Sequence, residues 1–161
     1  MMERIDKILK HDLFLKNLSE NNTAEADRRF CRHNMAHFLD VARIARVING
    51  EEALEVDREW IYAAALLHDM GRHVQYADGT PHEQASAVIA PEILAECGFS
   101  EEETEVIVDA ILMHRNGKIA DEKNLRGLLY RADKASRACF ACQAQTECNW
   151  KSEKKNLHIL Y

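Results

Sequence analysis

The stretch Trp60-Ile-Tyr-Ala-Ala-Ala-Leu-Leu-His-Asp-Met-Gly-Arg72 decides how this chain is to be read. Residues 60 to 67 are apolar without a break, and an imidazole and a carboxylate then follow side by side. Eight residues are far too few to cross a bilayer, which takes about 20. A helix that is apolar on every side belongs in the middle of a packed core. At helical spacing His68 shares its face with Ile61, Ala64 and Ala65. The most apolar segment of the chain therefore carries two polar groups toward the interior at its end. A carboxylate buried without a partner is costly or becomes neutral, so Asp69 requires company.

Outward from this segment, helical periodicity dominates and strict alternation is nearly absent. The expectation is an all-α, single-domain bundle of five to six helices over residues 1–161. Its core spans about 23–144, with an N-terminal helix and a C-terminal tail packing on it. Helices are expected over 4–18, 23–48 (closed by Asn49-Gly50), 57–71, 81–98, 101–116 and 122–144. Tyr76-Ala-Asp-Gly79 reads as a turn. Thr80-Pro-His-Glu83 and Ser100-Glu-Glu-Glu103 read as capping boxes, and Pro91 is a site for a kink or split. The tail after Trp150 is expected to wrap the surface.

The chain has 161 residues, with 21 Lys and Arg against 27 Asp and Glu, a net charge of −6. That balance argues against long nucleic acid as a partner, because neutralising its phosphates needs surplus cations. A small phosphorylated substrate remains open. No segment suits a membrane, and the charged N-terminus lacks a signal-peptide core. A cytoplasmic location is the expectation.

Other polar residues fall on apolar faces as His68 does. His37 has Phe30, Val41 and Ile44 at spacings of seven, four and seven. His114 has Ile107 and Ile111 above it, and Asp133 follows Leu129 and Tyr130. Imidazoles and carboxylates that converge on a core either bond to one another or bind a cation, and Fe, Mn, Zn, Co and Ni all suit such donors. Singly, each histidine reads as a core residue bonded to a backbone carbonyl.

In the order His37, His68-Asp69, Asp133, the sequence resembles the HD-domain metal-dependent phosphohydrolase superfamily. The matching segments are His37-Phe-Leu-Asp-Val-Ala-Arg-Ile-Ala45, Ala65-Leu-Leu-His-Asp-Met-Gly-Arg72 and Tyr130-Arg-Ala-Asp-Lys134. The resemblance implies metal ligation by those four residues. Its two-metal type adds two histidines between the His-Asp pair and the last Asp, and His82 and His114 stand there. It then implies a dinuclear centre bridged by Asp69, in a protein like the small bacterial members that hydrolyse nucleotides or dinucleotides. A metal with an open position brings the pKa of its water toward neutrality, and Asp69 would both bind and orient. Arg72, where the family often has Lys, is a candidate phosphate contact. Lys134 and Arg137 would add charge at the mouth, and Asp40 is a candidate partner for an imidazole. His33 and His73 read as pocket lining, while His11 and His158 lie outside the match.

Five cysteines remain. Cys97 reads as core. Cys139-Phe-Ala-Cys142, then Cys148, form a cluster that Cys31 can join, since it precedes His37 by as many residues as Cys139 follows Asp133. Six helical residues span about 9 Å, so the two would lie level on antiparallel helices. That permits a four-cysteine site for structural zinc or an iron–sulfur cluster, against plain burial as small apolar residues. Two rival functions keep the same ligands: a di-iron oxygenase, and a non-catalytic sensor of nucleotide or redox state.

Overall fold

The structure is a computed structural model describing residues 1–161. It contains eight α-helices: α1 (Glu3–Ile8), α2 (Asp12–Ala24), α3 (Met35–Glu51), α4 (Arg58–Leu67), α5 (Arg72–Asp78), α6 (His82–Glu96), α7 (Glu101–Met113) and α8 (Leu125–Ala135). There is no strand, and no helix is long and apolar enough to cross a membrane.

Helix α4 is the axis of the bundle. Asp57 starts it by accepting the backbone N–H groups of Glu59 and Trp60 at 2.7 and 3.2 Å. Ala63 to Leu67 then lose all contact with solvent, as an all-round apolar helix must. Helices α1, α3, α6, α7 and α8 all pack against it. Helix α3 also packs on α8, and α7 packs on α6 and α8. Ile5, Ile8 and Phe14 tie the N-terminal helices into the same core.

The all-helical bundle is as the periodicity predicts, but it is cut more finely. The segment 4–18 is two helices, because the His11 ring accepts the Leu13 N–H at 3.2 Å and starts α2 afresh. The segment 23–48 breaks at Ala24 and resumes only at Met35. Residues 25–34 are polar and lack apolar periodicity, and Asn34 caps α3 by accepting the His37 N–H at 3.2 Å. Phe30 therefore lies outside α3 and is exposed, not on the His37 face. The stretch 76–79 is mostly the end of α5, with Gly79 alone turning the chain at φ 84°. Pro91 lies within an unbroken α6.

Of the two capping boxes only that at Ser100 forms, with Ser100 Oγ accepting from Glu103 N–H and Glu103 returning to the Ser100 N–H. At α6 the first residue outside the helix is Pro81, which has no capping side chain. The Gln75 amide oxygen accepts the His82 N–H at 3.3 Å instead. Helix α8 stops at Ala135, well short of 144. The Asn156 amide donates to the carbonyls of Lys134, Ala135 and Arg137 at 2.8, 3.0 and 2.9 Å. It thereby satisfies acceptors that a helix end leaves open and docks the tail.

Candidate metal centre

Five helix ends deliver the polar side chains to one place. His37 lies in the first turn of α3, and His82 is the first residue of α6. His68 and His114 terminate α4 and α7, and Asp133 lies in the last turn of α8. Asp69 follows His68 directly. Helix ends suit this task because the chain there is free of the regular ladder and can aim one side chain inward.

Two donor sets result, each with its ligand atoms within 4.8 Å of one another: His37, His68, Asp69 and Asp133, and Asp69, His82 and His114. Asp69 belongs to both. Its Oδ2 lies 3.5 Å from His37 Nε2 and 3.3 Å from His68 Nε2. Its Oδ1 lies 3.0 Å from His82 Nε2 and 3.7 Å from His114 Nε2. Asp133 Oδ1 stands 3.6 Å from His37 Nε2 and 3.8 Å from His68 Nε2.

The opposite ring nitrogens fix what these atoms present. His68 Nδ1 donates to the Ala65 carbonyl at 2.8 Å, and His114 Nδ1 to the Ile111 carbonyl at 2.6 Å. His82 Nδ1 donates to Gln75 Oε1 at 2.6 Å. Ser136 Oγ donates to the Asp133 carbonyl at 2.8 Å and faces His37 Nδ1 at 3.3 Å as an acceptor. A neutral imidazole that donates from Nδ1 has a lone pair at Nε2. All four Nε2 lone pairs thus point at carboxylate oxygens or, for His82 and His114, at each other across 3.2 Å. Electron pairs facing electron pairs in a buried site call for a cation between them. His37 Nε2, His68 Nε2 and Asp69 Oδ1 are buried without any hydrogen-bond partner, so the donor set fits a divalent ion on this structure's own terms.

The electrostatics agree. Burial pushes Asp69 up, but His68, Arg72 and His114 outweigh it and hold the carboxyl well below its usual range. Asp133 is held low against burial by His68 and Lys134. Burial opposes charge on His68, yet the two carboxylates push it up to about 10: the carboxylates demand positive charge at this point, and a metal meets the demand as a proton would. Burial pushes His82 down, toward the neutral ligand form.

His37, Asp133, His33 and Arg72 open onto a cavity of about 530 Å³. His68, Asp69, His82 and His114 lie beneath it, buried. Arg72 reaches over Asp69, with Nε 3.3 Å from Oδ1 and a terminal nitrogen 3.0 Å from His33 Nε2. Lys134 pairs with Asp133 Oδ2 at 2.5 Å. Asp40 is exposed and lines the cavity. The groups that orient the imidazoles are instead two backbone carbonyls, Gln75 and Ser136. His33 lines the cavity and is fixed by Glu25, whose Oε1 lies 2.6 Å from His33 Nδ1. His73 bonds to Asn21 and the Met70 carbonyl, outside the cavity. Cys97 is core. Cys31, Cys139, Cys142 and Cys148 line the cavity.

Sequence reasoning passed over Glu25, Gln75 and Ser136. It also passed over Asn21, whose side-chain amide donates to the Asp69 carbonyl at 2.9 Å. None of the four stands out from ordinary surface residues by spacing.

Comparison with known proteins bears on the fold and the family. An uncharacterized protein of Clostridium beijerinckii is 49% identical over 160 residues, covering 99% of this chain and 100% of that protein. The crystal structure of a predicted HD superfamily hydrolase from an uncultured Thermotogales bacterium shares the fold, with a TM-score of 0.62. It is 22% identical, covering 89% of this chain and 81% of that one. The model of the HD domain matches residues 34–144, which take in all six His and Asp donors, and the chain belongs to the HD domain family.

Proposed function

We propose that this protein is a metal-dependent phosphohydrolase that cleaves a phosphate ester or anhydride in a small substrate, a nucleotide or dinucleotide. The observation that carries the reading is the lining of the cavity above the donor sets. Arg28, Arg29, Arg32, Arg72, Lys134, Arg137 and Lys155 line it, against only two carboxylates, Asp40 and Asp133. In a chain of net charge −6, so many cations around one hollow suit a polyanion. Its volume suits a nucleotide-sized ligand.

Two divalent ions held by His37, His68, Asp69 and Asp133 and by Asp69, His82 and His114 would supply Lewis acidity and acidify a bound water. The remaining work belongs to the chain. His37 and Asp133 border the cavity, so the upper set faces substrate while the lower set is sealed. Arg72 is placed to grip a phosphate oxygen bidentately when it swings from Asp69. Lys134 holds Asp133 in one orientation and neutralises its outer oxygen. Arg28 and Tyr76 are bonded at 2.9 Å, which stiffens the rim.

The test is product release from a panel of nucleoside phosphates and dinucleotides with Mn²⁺ supplied. Arg72→Ala is expected to lower kcat/KM by roughly 10–100-fold, the worth of one charged hydrogen-bonding contact, with metal content unchanged. Failure to release phosphate from any of them, together with oxygen uptake by the iron-loaded protein, would replace hydrolysis with oxidation.

A further inference from the structure

The cavity contains chemistry that phosphate hydrolysis does not use. Cys31, Cys139, Cys142 and Cys148 are all free thiols lining it. They come from the two irregular stretches of the chain, 25–34 and the segment after α8. An ion pair between Arg29 and Glu147 ties these stretches together, two residues from Cys31 and next to Cys148. Cys139 and Cys142 bracket one turn of 3₁₀ helix, with the Cys142 N–H on the Cys139 carbonyl at 3.3 Å. The Gln145 amide returns to that carbonyl at 3.1 Å and folds the chain toward Cys148.

The segment around them is docked by Asn156 on the end of α8 and by the Lys155 ammonium on the Gln145 carbonyl at 2.8 Å, with almost no core of its own. Across residues 136–161 only Ala144 is buried, and two short 3₁₀ turns are its only regular structure. A disulfide or a metal can add a staple where a core is lacking. Closing a long loop is where such a clip stabilises most.

We propose that Cys31, Cys139, Cys142 and Cys148 form a four-thiolate centre holding an iron–sulfur cluster, which staples the C-terminal segment to the bundle at the cavity wall. The thiols stand wider apart than a single zinc holds its ligands. A single zinc bonds its sulfurs at about 2.3 Å and so draws them to within about 4 Å of one another. Donor sets as tight as 4.8 Å are formed here by the His/Asp residues, not by the thiols. A cluster places several metal and sulfide atoms between its four cysteines.

This centre sits in the wall of the cavity that the phosphohydrolase reading gives to substrate, and its test does not pass through activity. The full chain is purified without oxygen or chelator, and iron, zinc, acid-labile sulfide and visible absorption are measured. Iron and sulfide are expected in equal amounts in an Asp69→Ala chain, where the His/Asp sites are disabled. Cys142→Ser and Cys148→Ser are expected to lose the sulfide and the absorption, and Cys97→Ser to keep both. Should the serine variants fail to fold, titration of the parent with a mercurial is expected to release iron as four thiols react. Absence of labile sulfide from the parent, zinc on the thiols in its place, or sulfide undiminished in a folded Cys142→Ser chain would overturn the proposal.

Discussion

Asp69 offers one oxygen to each donor set, and the histidines around it are kept in the ligand tautomer by bonds on their far side. Two of those bonds are made by side chains, Ser136 to His37 and the shorter one, Gln75 to His82. Outer partners of this kind typically contribute about 10–100-fold to metal affinity. Gln75→Leu is therefore expected to weaken Mn²⁺ binding at the buried set by about that factor and to leave the upper set alone. Calorimetric titration of both proteins checks it, and equal affinities would show that the His82 tautomer is fixed by something else. Four of the donors, His37, His68, His114 and Asp133, were marked in the sequence as polar residues among apolar ones; Asp69 and His82 were marked by an order shared with a family. Gln75, Ser136 and Glu25 were not, since a polar residue on a short helix or in a loop looks the same whether it meets water or an imidazole.

The helices that carry these residues must approach closely, and Gly71 shows how closely. A Cβ at that position would meet Ala85 Cβ at 2.5 Å and the Ser86 backbone nitrogen at 2.7 Å. The Gly71 N–H donates to Ser86 Oγ at 2.9 Å, so the start of α5 is latched to α6 two residues from Asp69. Gly71→Ala is expected to cost about 1–3 kcal/mol, as overpacking does, which lowers Tm by about 2–4 °C per kcal/mol in a chain of this size. It should also weaken metal binding, because α6 carries His82. A melting curve unchanged from the parent would mean that α6 shifts freely. At this scale the sequence was a good guide to where helices exist and a poor one to where they end. The Ser100 box was readable because both partners are local. The breaks at His11 and Asn34 rest on single caps. The end of α8 is set by Asn156, a residue 21 positions from Ala135 that no local pattern connects to it.

Across the whole molecule, ion pairs join the N-terminal helix to the bundle. Arg4 donates to Glu59 at 2.6 Å and to Glu103 at 2.7 Å, and the Trp60 indole N–H donates to Glu103 at 2.9 Å. The Arg4 hydrogen bond foremost, with that of Trp60, holds Glu103 at about 2, below its ordinary 4.5. A carboxyl depressed by folding stabilises the native state above its unfolded pKa, and the contribution is lost as pH falls through the folded value. Stability is thus expected to decline between pH 4.5 and 2, with Glu25, also held at about 2, contributing in the same window. Thermal melts of the parent and Glu103→Gln across that range should show a shallower decline in the variant, and identical slopes would remove Glu103 from the account.

One carboxylate, Asp69, is expected to gather two cations, and titration of metal-free protein with Mn²⁺ tests this directly. The parent chain should take up two ions at the His/Asp donors, and Asp69→Ala should take up none while its far-ultraviolet circular dichroism stays that of a folded helical protein. A parent that binds no Mn²⁺, or an Asp69→Ala chain that binds as many ions as the parent, would contradict it.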